Sequence, residues 1–130
     1  MIVDTSAVLA IVFADEGYEA LITALSDAAS AGIAAPSVTE AGIVLRARLG
    51  NKAPGLIERF LQELHIEIIP FDEAHVAVAV EAFSRYGKGR HRAGLNFGDC
   101  MSYAVAKLAD APLLYVGDDF AHTDIISALS

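Results

Sequence analysis

Apolar residues recur along the chain in two patterns, short uninterrupted runs and longer stretches with helical spacing. The short runs predict buried strands at residues 2–3, 32–35, 66–69 and 112–116. The longer stretches predict helices at about residues 7–13, 17–30, 36–49, 54–64, 72–86 and 100–109. Because helices alternate with strands, we predict an α/β fold, a three-layer sandwich in which helices flank a mostly parallel sheet of about four or five strands. The length of 130 residues predicts a single domain over 1–130.

Polar residues mark where several of these helices should begin. Ser37 and Glu40 have the S-x-x-E spacing of a capping box, which predicts a cap on the third helix. Asp72 is placed to cap the fifth helix. Residues 87–95 combine glycines with basic side chains, so we expect an irregular loop before the last helix.

Five acidic residues fall at positions that a parallel sheet would bring to one edge. Asp4 follows the first strand, and Glu40 lies in the first turn of the helix after the second strand. Asp99 lies in the first turn of the helix that leads into the fourth strand, and Asp118 and Asp119 follow that strand. Since strand ends and crossover-helix starts share one edge of such a sheet, these acids are expected to converge there.

A cluster of carboxylates points to a cation. Like charges push one another toward protonation, and a hard divalent ion removes that repulsion. Oxygen donors suit Mg²⁺ or Mn²⁺, whereas zinc is less suited because the site has no Cys/His pattern. Such ions orient phosphodiesters and generate hydroxide from water. Each acid also has a purely structural interpretation as a helix cap, a helix-dipole partner or a turn residue, so the metal site rests on their joint placement.

Composition and charge remove several other classes of protein. Hydrophobic residues make up 55% of the chain, which excludes intrinsic disorder and leaves apolar surface for a partner. No apolar run approaches the roughly 18 residues that span a membrane, and the first residues do not resemble a secretory signal. The lone Cys100 forms no internal disulfide, and we interpret it as buried packing rather than as a nucleophile. A cytoplasmic location is expected.

Four segments together carry a resemblance to a known family. They are Ile2-Val3-Asp4-Thr5-Ser6-Ala7, then Thr39-Glu40, then GRHRAGLNFGDC at 89–100, and finally Gly117-Asp118-Asp119-Phe120 with Thr123-Asp124. In this order and at this length they resemble the PIN-domain ribonucleases, above all the VapC-type toxins of bacterial toxin–antitoxin systems. The first segment alone is a weak signal, whereas the third is specific.

The resemblance implies a PIN-like fold and an Mg²⁺-dependent endoribonuclease, with Mn²⁺ as an alternative ion. It also implies a homodimer and inhibition by a cognate VapB-like antitoxin. By match, Asp4, Glu40 and Asp99 correspond to the acidic catalytic and metal-binding residues of the family, while Ser6 and Asn96 support them. Many PIN domains have T-x-D after the last core strand. This chain departs from that pattern, and we favour Asp119 as the fourth acid, with Asp118 as the alternate.

The distribution of basic residues bears on an RNA substrate. The formal net charge of −8, from 17 acidic and 9 basic residues, excludes a uniformly basic nucleic-acid-binding surface. However, four of the nine basic residues fall within positions 85–92. We predict that Lys88, Arg90 and Arg92 contact RNA phosphates beside the acidic site. The alternative is a solvated loop with incidental charge.

Three other functions remain to be weighed. A phosphate-accepting receiver domain would have an acidic pair after the first strand and an acceptor Asp after the third, but Asp4 stands alone and Asp72 is poorly placed. A haloacid-dehalogenase-type phosphatase would have D-x-D at the first strand, where this chain has Ser6. A non-catalytic PIN-fold module that binds a partner protein or RNA is the remaining alternative, and the intact set of acids argues against it.

Overall fold

Four short strands form one parallel sheet in the computed structural model, which describes residues 1–129 and leaves Ser130, the last residue of the expected domain, outside. The strands, named in chain order, are β1 (Ile2–Val3), β2 (Ala31–Ala34), β3 (Ile66–Ile69) and β4 (Leu113–Leu114). Their order across the sheet is β3-β2-β1-β4, and every neighbouring pair is parallel. The predicted parallel sheet is therefore confirmed, with four strands.

Helices connect these strands. Within residues 1–129 they are α1 (Thr5–Val12), α2 (Tyr18–Asp27), α3 (Ala35–Leu49), α4 (Leu56–Glu63), α5 (Glu73–Tyr86) and α6 (Phe97–Ala109). Short 3-10 turns follow α3 at Gly50–Lys52 and β4 at Phe120–His122. None of the helices in this part of the chain combines the length and apolar character that a bilayer crossing requires.

Two hydrophobic cores lie on opposite faces of the sheet. Adjacent strand residues point to opposite faces, and Ile2 and Leu113 join one core while Val3 and Leu114 join the other. The first core packs beneath α5 and α6, and the second packs against residues of α1 to α4. All four of these strand residues are buried, at 3% exposure or less. The predicted three-layer α/β sandwich is confirmed.

Most predicted elements agree with the structure, and β4 is the clearest difference. The apolar run at 112–116 predicts a longer strand than Leu113–Leu114. The ladder between β1 and β4 ends early because Asp4 already caps α1, whose first residue is Thr5. The next free N–H of the β4 segment, that of Val116, donates to the Ser6 hydroxyl instead of to a strand.

The capping prediction is right for one helix and wrong for another. The Asp72 carboxylate accepts hydrogen bonds from the N–H groups of Ala74 and His75 and caps α5, as predicted. The capping box of Ser37 and Glu40 is wrong, because β2 runs directly into α3 with Ala34 as its N-cap residue. Ser37 is instead 1% exposed, and its hydroxyl bonds inside the protein.

Candidate active site

Asp4 lies at the carboxyl end of β1 and is held on both carboxylate oxygens. Its Oδ2 accepts from the N–H of Ser6 at 3.0 Å and from the Ser6 hydroxyl at 2.7 Å. Its Oδ1 accepts from the hydroxyl of Ser102, on α6, at 2.6 Å. The Asp4 backbone N–H donates to the carbonyl of Leu114 at 2.9 Å. With 4% exposure, Asp4 is a buried carboxylate of fixed orientation at the sheet edge.

Ser6 connects this carboxylate to the neighbouring strand. Its hydroxyl donates to Asp4 and accepts from the N–H of Val116 at 3.0 Å. The residues that follow β4 are thereby held against the start of α1. Ser6 therefore lies where the predicted supporting residue of the site should lie.

Asp99 lies in the first turn of α6 and forms a capping box with Asn96. The Asp99 N–H donates to Asn96 Oδ1 at 2.9 Å, and the Asn96 N–H donates to Asp99 Oδ2 at 3.0 Å. Burial raises the pKa of Asp99 to about 7, and the charges of Asp4 and Asp119 act in the same direction, against the Asn96 hydrogen bond that lowers it. A hydrogen bond with the Asp119 carboxyl also favours the protonated form. The structure thus brings Asp4, Asp99 and Asp119 together.

The turn after β4 separates the two candidates for the fourth acid. Gly117 has a φ of +102°, a conformation that favours glycine. The 3-10 turn Phe120–His122 begins directly after Asp119. Both Asp118 and Asp119 are exposed. Only Asp119 is among the groups that shift the pKa of Asp99. Asp119 is therefore the neighbour of Asp99, and Asp118 lies apart from the cluster.

Glu40, on α3, lies close to Asp99 because its carboxylate packs against Gly98. A Cβ atom at Gly98 would lie 2.7 Å from Glu40 Oε2, so the carboxylate rests against the bare Cα of that glycine. Gly98 is the residue before Asp99, in the first turn of α6, where the positive end of the helix dipole favours an anion. Glu40 is not among the charges that shift the pKa of Asp99. It lies at the border of the cluster.

The donors of this cluster fit a hard cation, although their arrangement is not a finished coordination cage. All four candidate ligands, Asp4, Glu40, Asp99 and Asp119, are carboxylates, the donors that Mg²⁺ and Mn²⁺ prefer. Burial raises the pKa of Asp99, and the charges of Asp4 and Asp119 raise it further, as expected for acids that lie together without a compensating positive charge. Across residues 1–129, no three His, Cys, Asp or Glu side chains are grouped so that they could hold a metal ion as placed. Binding would require some of these carboxylates to move, and Asp119 is the exposed one among them.

Comparison with known proteins identifies the family of this fold and site. The family model described as PIN domain matches residues 1–126. The chain belongs to the PIN domain family. This PIN domain is 50% identical over 126 residues to ribonuclease VapC36 of Mycobacterium tuberculosis, covering 96% of this chain and 91% of that protein. It is 38% identical over 125 residues to ribonuclease VapC of Mycolicibacterium smegmatis, covering 96% and 97%. The family resemblance of the sequence is confirmed.

Solved structures agree on the fold of the PIN domain. Mycobacterium tuberculosis VapC20, described as a sarcin-ricin loop cleaving toxin, matches with a TM-score of 0.77 at 16% identity over 96% of this chain and 95% of its own. A toxin–antitoxin complex from Klebsiella pneumoniae matches with a TM-score of 0.72 at 18% identity over 99% and 97%. The predicted PIN-like architecture is confirmed.

Two buried hydroxyls of this PIN domain belong to the site and were missed by sequence reasoning. Ser102 is 0% exposed and bonds both to Asp4 and to the hydroxyl of Ser37, 3.0 Å away. A signal for Ser102 existed, because it follows Asp99 by three residues and so lies on the same face of α6. No local signal pointed to Ser37, whose spacing from Glu40 imitates a capping box.

The basic loop at 87–95 leads directly into the acidic site of the PIN domain. Its ends are joined by two hydrogen bonds of 2.9 Å, from Lys88 N–H to the Leu95 carbonyl and from Leu95 N–H to the Tyr86 carbonyl. Lys88, Arg90 and Arg92 are all exposed. The ion pairs within residues 1–129 use His75 and Lys107, so these three cations are not engaged by carboxylates.

An exposed apolar surface extends from the acidic edge along α5, and we call it the apolar face. Its members are large hydrophobic residues with 38–77% exposure, namely Ile43, Val76, Val80, Phe83 and Phe97. They line two adjoining grooves of about 740 and about 620 Å³, and the second groove also reaches Glu40 and Gly98. No charged side chain lines the first groove. Apolar surface of this extent is typical of a site that binds another protein.

Proposed function

We propose that this PIN domain is an endoribonuclease toxin that depends on Mg²⁺, or alternatively Mn²⁺, and hydrolyses phosphodiester bonds of cellular RNA. The observation that carries the proposal is that Asp4 and Asp119 lie close enough to Asp99, at the carboxyl edge of the sheet, for their charges to add to the effect of burial, which raises the pKa of Asp99 to about 7. Crowded carboxylates at that edge of an α/β sheet are costly to a protein that does not use them. The 50% identity to a ribonuclease adds support.

Asp4, Glu40, Asp99 and Asp119 would hold the ion. When bound, a divalent cation of this kind polarises a phosphodiester and supplies hydroxide at neutral pH. Asp4 contributes a carboxylate whose direction is set by Ser6 and Ser102 before any ligand arrives. Glu40, half-buried on α3, and Asp119, exposed in the turn after β4, would complete the set by side-chain adjustment.

With a pKa raised to about 7, Asp99 would be partly protonated near neutral pH in the metal-free protein. Its carboxyl shares a hydrogen bond with Asp119, while Asn96 holds its Oδ2. A cation would displace that proton, and both carboxylates would then be available as ligands. The capping box with Asn96 keeps the Asp99 side chain at the helix start throughout.

The RNA backbone would run beside the acidic edge, on the basic loop. Lys88, Arg90 and Arg92 are exposed, free of acidic partners and carried by the loop that precedes Asn96. Cations so placed neutralise phosphates and offset locally the net charge of −8. The basic loop would therefore attract the RNA to the acidic edge, whose carboxylates alone would repel the phosphates.

The same proposal includes protein partners. A cognate VapB-like antitoxin would hold the enzyme inactive, and the toxin would form a homodimer in the cytoplasm. The family resemblance supports both partners, and the apolar face supplies uncharged surface for protein contacts. Sedimentation of the purified protein at several concentrations tests the dimer. The single chain has a mass of 13.7 kDa, and we expect a species of twice that mass.

Purified protein freed of antitoxin, incubated with total bacterial RNA, tests the activity. We expect cleavage with Mg²⁺ or Mn²⁺, none with EDTA, and none in Asp4→Asn at either ion. Mapping the new RNA ends would then identify the target sequence. If the folded protein binds RNA but leaves it intact with either ion, the non-catalytic PIN-fold module is the better description.

A further inference from the structure

A chain of buried hydroxyl groups ends on Asp4. Ser102 Oγ lies 2.6 Å from Asp4 Oδ1, and Ser37 Oγ lies 3.0 Å from Ser102 Oγ. Both serines are almost fully buried, at 0% and 1% exposure. One comes from α6 and the other from α3, 65 residues apart in the chain. A buried hydroxyl is costly unless it is hydrogen-bonded, and both of these hydroxyls have partners.

The direction of these hydrogen bonds follows from counting protons. A serine hydroxyl has one proton, and an ionised carboxylate only accepts. Ser102 therefore donates its hydrogen bond to Asp4, and the bond between the serines must be donated by Ser37. The Ser37 backbone carbonyl in turn accepts from the Thr5 hydroxyl at 3.2 Å. The chain of hydroxyls has one direction, from Ser37 through Ser102 to Asp4 Oδ1.

We propose that Ser102 is a positioning residue that sets the orientation of the Asp4 carboxylate for the cation, and that Ser37 keeps the Ser102 hydroxyl pointing at Asp4. The inference rests on the proposed function, in which Asp4 is a metal ligand. Ser6 holds only Oδ2. Without Ser102, the Asp4 carboxylate could rotate about its Cβ–Cγ bond, and Oδ1 would lose its only hydrogen-bond donor within residues 1–129.

The competing explanation is that the two serines merely fasten α3 and α6 together. In that case removing either hydroxyl would lower stability, and neither would have a special effect on the ion. The positioning role predicts an unequal result, because only Ser102 touches Asp4. Ser37→Ala is therefore the matched control, since it deletes an equally buried hydroxyl one step further from the carboxylate.

The test measures the Mn²⁺ affinity of the full chain by the electron paramagnetic resonance signal of free Mn²⁺, together with the thermal midpoint of each variant. Residues that orient a metal ligand typically change affinity by about 10–100-fold, and we expect a loss at the lower end of that range for Ser102→Ala. Ser37→Ala should lose less affinity at a similar thermal midpoint. Cleavage by Ser102→Ala should recover at high Mn²⁺, because the ligand itself is still present.

A second variant covers the case in which Ser102→Ala does not fold. Ser102→Cys retains nearly the same volume but provides only a weak donor, so we expect a folded protein with reduced Mn²⁺ affinity. Folded Ser102 variants that bind Mn²⁺ as tightly as the parent protein overturn the inference, as do equal losses in the Ser37 and Ser102 variants. A parent protein that binds no Mn²⁺ and cleaves no RNA contradicts the proposed function itself, and the inference with it.

Discussion

The Glu40 carboxylate rests against the Cα of Gly98, where a Cβ atom would approach its Oε2 to 2.7 Å. The absence of a side chain at Gly98 thus decides how closely α3 can bring an acid to the start of α6. We expect Gly98→Ala to push Glu40 away and to lower RNA cleavage at least tenfold, the usual scale for a displaced metal-site group. Stability should not fall, because replacing a helical glycine with alanine typically stabilises by about 0.4–1 kcal/mol.

The control for this prediction is Gly42→Ala on α3. A Cβ atom at Gly42 meets nothing within 4 Å, so the substitution gains helix stability without displacing a neighbour. Thermal unfolding and a fluorescent RNA cleavage assay should show two stable variants, of which only Gly98→Ala is impaired. Normal cleavage in Gly98→Ala would mean that the position of Glu40 is unimportant.

The raised pKa of Asp99 predicts how the stability of the metal-free protein depends on pH. Folding raises this pKa from 3.8 to about 7, so between these values the folded state holds a proton that the unfolded state has released. The stabilisation from this group is complete below the unfolded pKa and is lost as pH rises through about 7. We expect the thermal midpoint in EDTA to fall between about pH 5 and about pH 8, and Asp99→Asn to flatten that dependence.

Asp118→Asn serves as the control for the pH profile. Asp118 is exposed and does not act on Asp99, so this variant should retain the pH dependence of the parent protein. Added Mg²⁺ should raise the midpoint most at alkaline pH, where Asp99 and its neighbours are all charged. A profile that is unchanged in Asp99→Asn would assign the pH dependence to another group.

The two acids of the turn after β4 should differ in their effect on cleavage. Asp119 acts on Asp99 and Asp118 does not, although they are adjacent and both exposed. We therefore expect Asp119→Asn to lower cleavage and Mn²⁺ affinity about tenfold or more, while Asp118→Asn remains close to the parent protein. The reverse result would move the fourth ligand to Asp118.

Local patterns were sufficient to predict most of the architecture. The runs at 2–3 and 66–69 coincide with β1 and β3, because an apolar run bounded by polar residues is a local signal. The convergence of Asp4 with Asp99 was also predictable, since it follows from the order of strands and helices alone. Sequence reasoning favoured Asp119 but kept Asp118 as the alternate, because the choice depends on the turn that Gly117 makes with its positive φ.

Contacts between distant segments account for the failures. Ser37 has the spacing of a helix cap, yet its hydroxyl bonds to Ser102, 65 residues away. The run at 112–116 is apolar enough for a longer strand, but the Val116 N–H donates to Ser6, 110 residues away. For Ser37 a long-range hydrogen bond replaces the local cap that the pattern indicates, and for Val116 a side-chain hydroxyl takes the place of a backbone strand partner. Ser102 and Ser6, the partners in these two bonds, both donate to Asp4, so the two wrong predictions lie at the site.

The basic loop provides the last prediction, which concerns salt. If Arg90 and Arg92 each neutralise one phosphate of single-stranded RNA, removing both should reduce the slope of log affinity against log salt by about 1.4, at about 0.7 per contact. Arg90→Ala/Arg92→Ala should therefore bind RNA less tightly at low salt and resemble the parent protein at high salt. Lys52→Ala/Arg59→Ala makes the same change in net charge at exposed positions near α4 and should leave the slope unchanged. Fluorescence anisotropy with catalytically inactive Asp4→Asn protein measures both slopes without cleavage, and equal slopes in the two double variants would show that the loop does not contact the RNA backbone.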